Sequence, residues 1–244
     1  MRYVNVRFLL LVSLFLLLTF HYFQRTQAIS YARIEFVSDT TWDTAIADQN
    51  AGATIPFGKA QSVCLTQQAP VSCPEGATLY GYAGAGWFAN LTSIPSAQWI
   101  WAPGVISTTS PADSQEYYFF KVIHVPEPPT QGSLSIAADD FAEVRVNGAV
   151  AGTVGSTTDY NIALQAQGAL ATFDITKYLV SGDNLISIRV TNGPREFANG
   201  CTNSCSYAQN PAGLVFGGFI LYDVPTALAE SAEPHRIFLP QIVR

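Results

Sequence analysis

The chain has 244 residues, a formal net charge of −6 and only 12% charged residues, against 48% hydrophobic and 12% aromatic. That balance argues against nucleic acid or an anionic membrane as partner, because both are held by clustered Lys and Arg. Low charge with many Gly, Ala, Ser and Thr points to an all-β extracellular protein rather than a helical cytosolic one.

Residues 1–28 read as a signal peptide forming an N-terminal helix. Arg2 and Arg7 give a basic start, residues 8–20 are almost entirely apolar, and Thr26, Gln27 and Ala28 make a small-residue cleavage site. The apolar run is shorter than the ~20 residues a membrane span needs, so no span is expected after cleavage. Removing the segment also removes Arg2, Arg7 and Arg25 and leaves a more acidic chain. The expected location is secreted or at the cell surface.

Residues 29–224 read as one domain. Residues 32–38 alternate and open it as a strand. Residues 43–78 are low in periodicity and rich in Ala, Gly, Pro and Gln, which predicts a long decorated insert rather than a plain turn. Tyr80, Tyr82, Trp87 and Phe88 are interleaved with glycines. Trp99 and Trp101 share a face just before the strongest strand of the chain, residues 116–125, which suits core packing. Residues 142–146 then alternate, and Asn147-Gly148 supplies the two positive-φ residues of a type I′ turn, so 141 to about 153 is a predicted hairpin. Asp139 and Asp140 stand at its entry, where short carboxylates accept backbone N–H bonds.

Further strands are expected at 161–165, 171–179, 185–191 and 213–222, with Gly217-Gly218 marking a bulge or a close backbone approach. Residues 225–244 form an Ala/Glu linker and a short tail resembling the "YLPxxxR"-like ends of some bacterial secreted proteins. Many short strands with turn signals between them predict an antiparallel β-sandwich.

The four cysteines form two close pairs, Cys64/Cys73 and Cys201/Cys205. An even count behind an export signal favours disulfides, and proximity favours 64–73 and 201–205 among the three possible pairings. Neither spacing suits a zinc site.

Catalytic chemistry finds little support. Only His124, inside a strand, and His235, in the tail, follow the leader, and no G-x-S-x-G elbow accompanies them. Asp139/Asp140, Glu143 and Glu116 are the carboxylates that could converge. Adjacent residues on a strand point to opposite faces, so Asp139 and Asp140 make a poor acid–base pair and a better pair of turn caps. Asn90, Leu91 and Thr92 form the sole N-glycosylation sequon, read as incidental.

Three features in order, Trp99–Trp101 before a strong strand, Asp139-Asp140-Phe141 leading to Val146-Asn147-Gly148, and Asp174…Leu179…Gly182-Asp183-Asn184, resemble the galactose-binding-like jelly roll. Similar domains serve as non-catalytic sugar-binding parts of β-galactosidase-like and rhamnosidase-like enzymes and as stand-alone secreted modules. The resemblance implies a non-enzymatic binding module, often for carbohydrate, sometimes with structural calcium, for which Asp39, Asp43, Asp139 and Asp140 are available oxygens. No catalytic domain is fused, and neither the 43–78 insert nor the 195–210 loop matches a known sugar site.

A sugar site needs aromatic faces flanked by hydrogen-bonding groups. Tyr82, Trp87, Phe197 and Tyr207 are the aromatic candidates, with Arg195, Asn199 and Asn203 beside them in a loop held by Cys201 and Cys205. The expected function is carbohydrate binding through end loops. Alternatives are an adhesive cell-envelope protein without a small ligand, and an unrecognised glycoside hydrolase.

Overall fold

A computed structural model describes residues 30–48, 53–65, 77, 79–81, 86–108, 115–197 and 205–224. The leader, the tail, Cys73, Cys201 and the tip of the 195–210 loop therefore lie outside the described residues. Arg33–Tyr222 forms one compact unit; Ser30–Ala32 and Asp223–Val224 belong with the chain ends to another.

Two sheets carry the fold. One orders its strands β11(Ala171–Asp174), β8(Pro129–Asp139), β13(Gly213–Val224), β6(Ile100–Trp101), β4(Gln61–Leu65) and β5(Leu79–Gly81), with β1(Ser30–Val37) also pairing with β13. The other orders β10(Ala149–Gly155), β9(Phe141–Val146), β12(Gly182–Thr191), β7(Glu116–Val125), β2(Asp43–Asp48) and β3(Ala53–Lys59). Apart from the parallel β4/β5 pair, the paired strands whose register is defined run antiparallel. The chain is an all-β sandwich.

Alternation sets the faces. In β9, Ala142, Val144 and Val146 are fully buried, and Ile186, Ile188 and Val190 answer them from β12. Leu134 and Ile136 on β8 and Leu214, Phe216 and Ile220 on β13 supply the opposing layer. Trp42 closes the core edge-on against Phe216, with ring centroids 4.6 Å apart, and donates its indole N–H to the Val37 carbonyl at 2.8 Å. Trp99 and Trp101 are both buried.

The hairpin at 141–155 takes the expected turn: Asn147 has φ 51° and Gly148 φ 82°. Its register shifts between Val150 and Gly152, a bulge that no local sequence signal indicates. The turn is tied to the second marker of the resemblance. Asn147 Nδ2 donates to Asn184 Oδ1 at 3.0 Å, and Asn147 Oδ1 accepts from the Leu185 N–H at 2.9 Å. Asn184, fully buried, in turn bonds Val180 and Gly182 through their backbones. These two turns are one polar knot.

Three expected elements are corrected, one of them the strand expected at 171–179, which ends at Asp174 and gives way to a 3-10 turn, Thr176–Tyr178. The insert at 43–78 is not plain loop: β2, β3 and β4 lie in it, with β2 pairing β7 across Asp43↔Phe120 to Ile46↔Tyr117. All seven residues of β3 are exposed, so no buried face imposes a period, and Pro56 hides the strand further. Residues 161–165 are not a strand but part of a helix, α1(Tyr160–Gly168). Asp159 caps it by accepting from the Asn161 and Ile162 amides, and Ala163, Ala166 and Gln167 form its buried face. A five-residue window reads as alternation; the i, i+3, i+4 spacing emerges only over the whole helix.

Gly217 and Gly218 sit in unbroken register, so they mark close approach rather than a bulge. A Cβ on Gly217 would lie 2.6 Å from Ile94 Cγ2, and one on Gly218 would lie 2.4 Å from Phe36 Cζ.

Trp42→Ala should destabilise the chain by about 3–5 kcal/mol, the usual cost of truncating a fully buried large aromatic. Val122→Thr, on an exposed β7 position, should stay within about 0.5 kcal/mol. Urea unfolding followed by tryptophan fluorescence tests both.

Candidate functional site

The end of the sandwich where β8 runs out is built around two adjacent carboxyls. Asp139 and Asp140 are buried, joined by a cis peptide bond, and near enough for each carboxyl to shift the other's protonation. Read from sequence they are a poor acid–base pair and better turn caps; here both are buried and their carboxyls interact. Asp139 Oδ2 accepts the Trp87 indole N–H at 2.7 Å, and Asp140 Oδ2 accepts the Gly193 amide at 2.6 Å. Backbone capping survives in the second bond only.

Burial, and then the neighbouring Asp140 carboxyl, hold Asp139 well above the usual carboxylate range, against the lowering effect of the indole N–H. Asp140 is raised by burial and brought part way back by its bonds to Asp139 and Gly193. Two carboxyls in mutual contact and out of water favour holding one proton between them.

Four segments converge here. Trp87 stacks on Trp99 with centroids 4.2 Å apart, and Gly213 lies under both rings, where a Cβ would come within 2.3 Å of Trp87. Tyr207 is buried and bonds the Ala212 carbonyl; burial holds its phenol well above the ordinary tyrosine range, and Asp139 adds to that. Helix α1 docks through its C-terminal end, where the Gln167 carbonyl accepts the Phe88 amide at 2.7 Å. Gly155, at φ +81°, lets β10 pass the Asp140 carbonyl, where any Cβ would fall 1.8 Å from that oxygen.

Only the rim of this cap reaches water. Phe197 is half-buried in a short 3-10 turn, Arg195–Phe197, and meets Tyr160 edge-on at 5.5 Å. Tyr160, first residue of α1, is 47% exposed. Gly193 is wedged between the Asp140 carboxylate and the Phe197 ring, with a Cβ there 2.5 Å from Oδ2 and 2.7 Å from Phe197 Cδ2. Beside it, Asn192 is fully buried, yet neither of its amide atoms has a hydrogen-bond partner among the described residues. A buried amide left without partners is uncommon and marks a place where a further hydrogen-bonding group belongs.

The aromatic candidates do not form one exposed platform. Trp87 is 4% exposed and Tyr207 1%, and both surround Asp139 in the interior. Phe197 stays at the surface. Tyr82, Asn199 and Asn203 lie outside the described residues, as does the side chain of Arg195. Tyr160 was not among the candidates; its signal is Asp159, a capping residue that places the next side chain at the sandwich end.

The calcium candidates are dispersed. Asp39 accepts the Thr41 amide at 2.8 Å, Asp43 pairs with Lys59 at 2.7 Å, and no three metal-type ligands cluster among the described residues. Glu116 and Glu143 do converge, on Arg189 at 2.9 and 3.4 Å on one sheet face, with Arg145 completing the network at 2.7 Å from Glu143. His124 is exposed and bonds Asp183 at 2.7 Å. Neither Cys64 nor Cys205 is a free thiol. No helix among the described residues is long and apolar enough to cross a membrane.

No protein-family model matches the sequence, and no curated protein does. Among solved structures it is similar to an α-L-rhamnosidase of Streptomyces avermitilis, at 21% identity over 53% of this chain and 10% of that one, with a TM-score of 0.35. A β-glucuronidase of Ruminococcus gnavus matches at 10% identity over 78% of this chain and 30% of its own, TM-score 0.40. A β-D-mannosidase of Dictyoglomus thermophilum matches at 11% identity over 68% and 16%, TM-score 0.32. The chain spans less than a third of each, and likeness this slight carries no site or activity across.

The buried acid pair has a readable consequence. A carboxyl whose pKa is raised by folding stabilises the fold in its protonated form: the contribution is complete below the ordinary value of 3.8 and is lost as pH rises through the raised value. Asp139→Asn keeps an acceptor for Trp87 and removes the titration. Thermal melts over a pH series should show the wild type losing stability relative to Asp139→Asn as pH climbs from about 4 to neutrality. Parallel curves would show the pair to be electrostatically silent.

Proposed function

We propose that the chain is a non-enzymatic carbohydrate-binding module, exported by its leader and working outside the cell or at its surface. One observation carries the reading: the aromatic rim of Tyr160, 47% exposed, and half-buried Phe197, at the sandwich end held by the Gly193–Asp140 bond. An aromatic face takes the C–H surface of a pyranose. The galactose-binding-like jelly roll is the family to which we assign the sandwich, and disulfides 64–73 and 201–205 are the pairing we assign to its loops.

The hydrolase reading is disfavoured by the same geometry. A glycosidase needs two carboxyls roughly 5–10 Å apart across a water-accessible gap. Asp139 and Asp140 touch each other beneath Trp87, while Glu116 and Glu143 are neutralised by Arg189 and Arg145.

A glycan array probed with the oxidised, exported chain tests the proposal. Tyr160→Ala and Phe197→Ala should each weaken the best-bound glycan about three- to tenfold, as loss of one aromatic contact does. No binding by the wild type, or unchanged binding by both variants, sinks the end-rim site.

A further inference from the structure

The outer face of the β1/β13/β8 layer holds a trough of about 140 Å³, well away in sequence from the end rim. Its walls follow from strand alternation: Arg33 and Glu35 project from β1, Ser133 and Ser135 from β8, and Phe219 from β13. Gly217 lets Ile94 pack close over the strand backbone, and Ile94 and Pro95 form an end wall.

The polar groups are fixed and only partly used. Arg33 lies over the Phe219 ring, 3.9 Å from its centroid, and its Nε donates to Glu35 Oε1 at 2.7 Å. The Arg33 and Glu35 side chains are 49% and 61% exposed, so each keeps polar surface open to solvent beyond that bond. Ser135 is matched to Thr172 at 2.8 Å and closes the far wall. A guanidinium over a ring and paired once has less side-chain freedom left to lose on binding.

Charge decides the ligand. An anion attracted to Arg33 would meet Glu35, and a cation attracted to Glu35 would meet Arg33. A neutral pair of neighbouring hydroxyls satisfies both: one oxygen accepts from an Arg33 Nη, and the other hydroxyl donates to Glu35 Oε2. Val37, Ile94 and Pro95 offer apolar surface to the remaining C–H face. The volume lies below the roughly 300–1,000 Å³ of drug-sized pockets and suits a single ring. We infer that this trough is a second saccharide subsite, taking one neutral sugar residue through a vicinal diol. The inference takes its ligand class from the carbohydrate reading above but shares no residue with the end rim.

Amide-resolved NMR titration of the exported chain with methyl glycosides of galactose, glucose, mannose and rhamnose tests it, alongside Arg33→Ala, Ser133→Leu and Tyr160→Ala. At least one glycoside should shift the amides of Ser133, Gly217 and Phe219. Arg33→Ala should weaken that response about tenfold, as loss of a charged hydrogen bond does. Ser133→Leu should abolish it by filling the trough, and Tyr160→Ala should leave it intact. Shifts confined to the end rim would overturn the trough and spare the rim. Trough shifts that vanish with Tyr160→Ala would overturn its independence, and silence everywhere would remove both sites together.

Discussion

An ionisable pair inside an aromatic interior is the constraint on which the sandwich end depends. Asp139 and Asp140 cannot both be charged out of water at small cost, and neither can be left without partners. The indole of Trp87 and the amide of Gly193 meet that demand from two different segments. Each bond therefore fixes a piece of chain that local propensity leaves free: the glycine-rich approach to Trp87 and the loop that follows β12. Helix α1, Gly155 and Tyr207 then pack around what those bonds have placed.

The same logic, with neutral groups, operates at the far turns. Asn147 and Asn184 join two connections that are distant in sequence, and a fully buried amide with every polar atom engaged tolerates no register slip. Between these polar anchors the core is apolar and regular. A sheet positioned at both ends in this way can carry irregular loops without losing alignment, which is what a binding surface built on loops requires.

How much of this the sequence discloses depends on the range of the interaction. Period-2 alternation and an Asn-Gly turn are local, so β7 and β9 can be read almost to the residue, while β12 starts three residues before its expected Leu185. The strand β3 cannot, because it is exposed on every residue and exists only through pairing with β2. Helix α1 is missed for a related reason: its buried face is Ala and Gln rather than Leu or Ile, so its hydrophobic stripe is faint. At the site, Phe197 is legible as an aromatic in a polar loop, whereas Trp87 looks the same in sequence and is interior. What separates them is a single long-range bond to Asp139, and no spacing rule encodes that. The Arg33/Glu35 trough is invisible for the converse reason, since its two walls come from strands about a hundred residues apart.

The outermost strand of the β7-bearing sheet bears on how such a protein behaves when crowded. Strand β3 presents Ile55 and Phe57 at the open edge, the kind of ribbon that recruits a neighbour's backbone. Pro56 sits between them, opposite Ala45 and beside a register shift. A proline has no N–H to give to a ladder, and a bulge strengthens the local twist of the ribbon. A proline and a bulge on an edge strand are the devices by which such an edge resists pairing with a second chain.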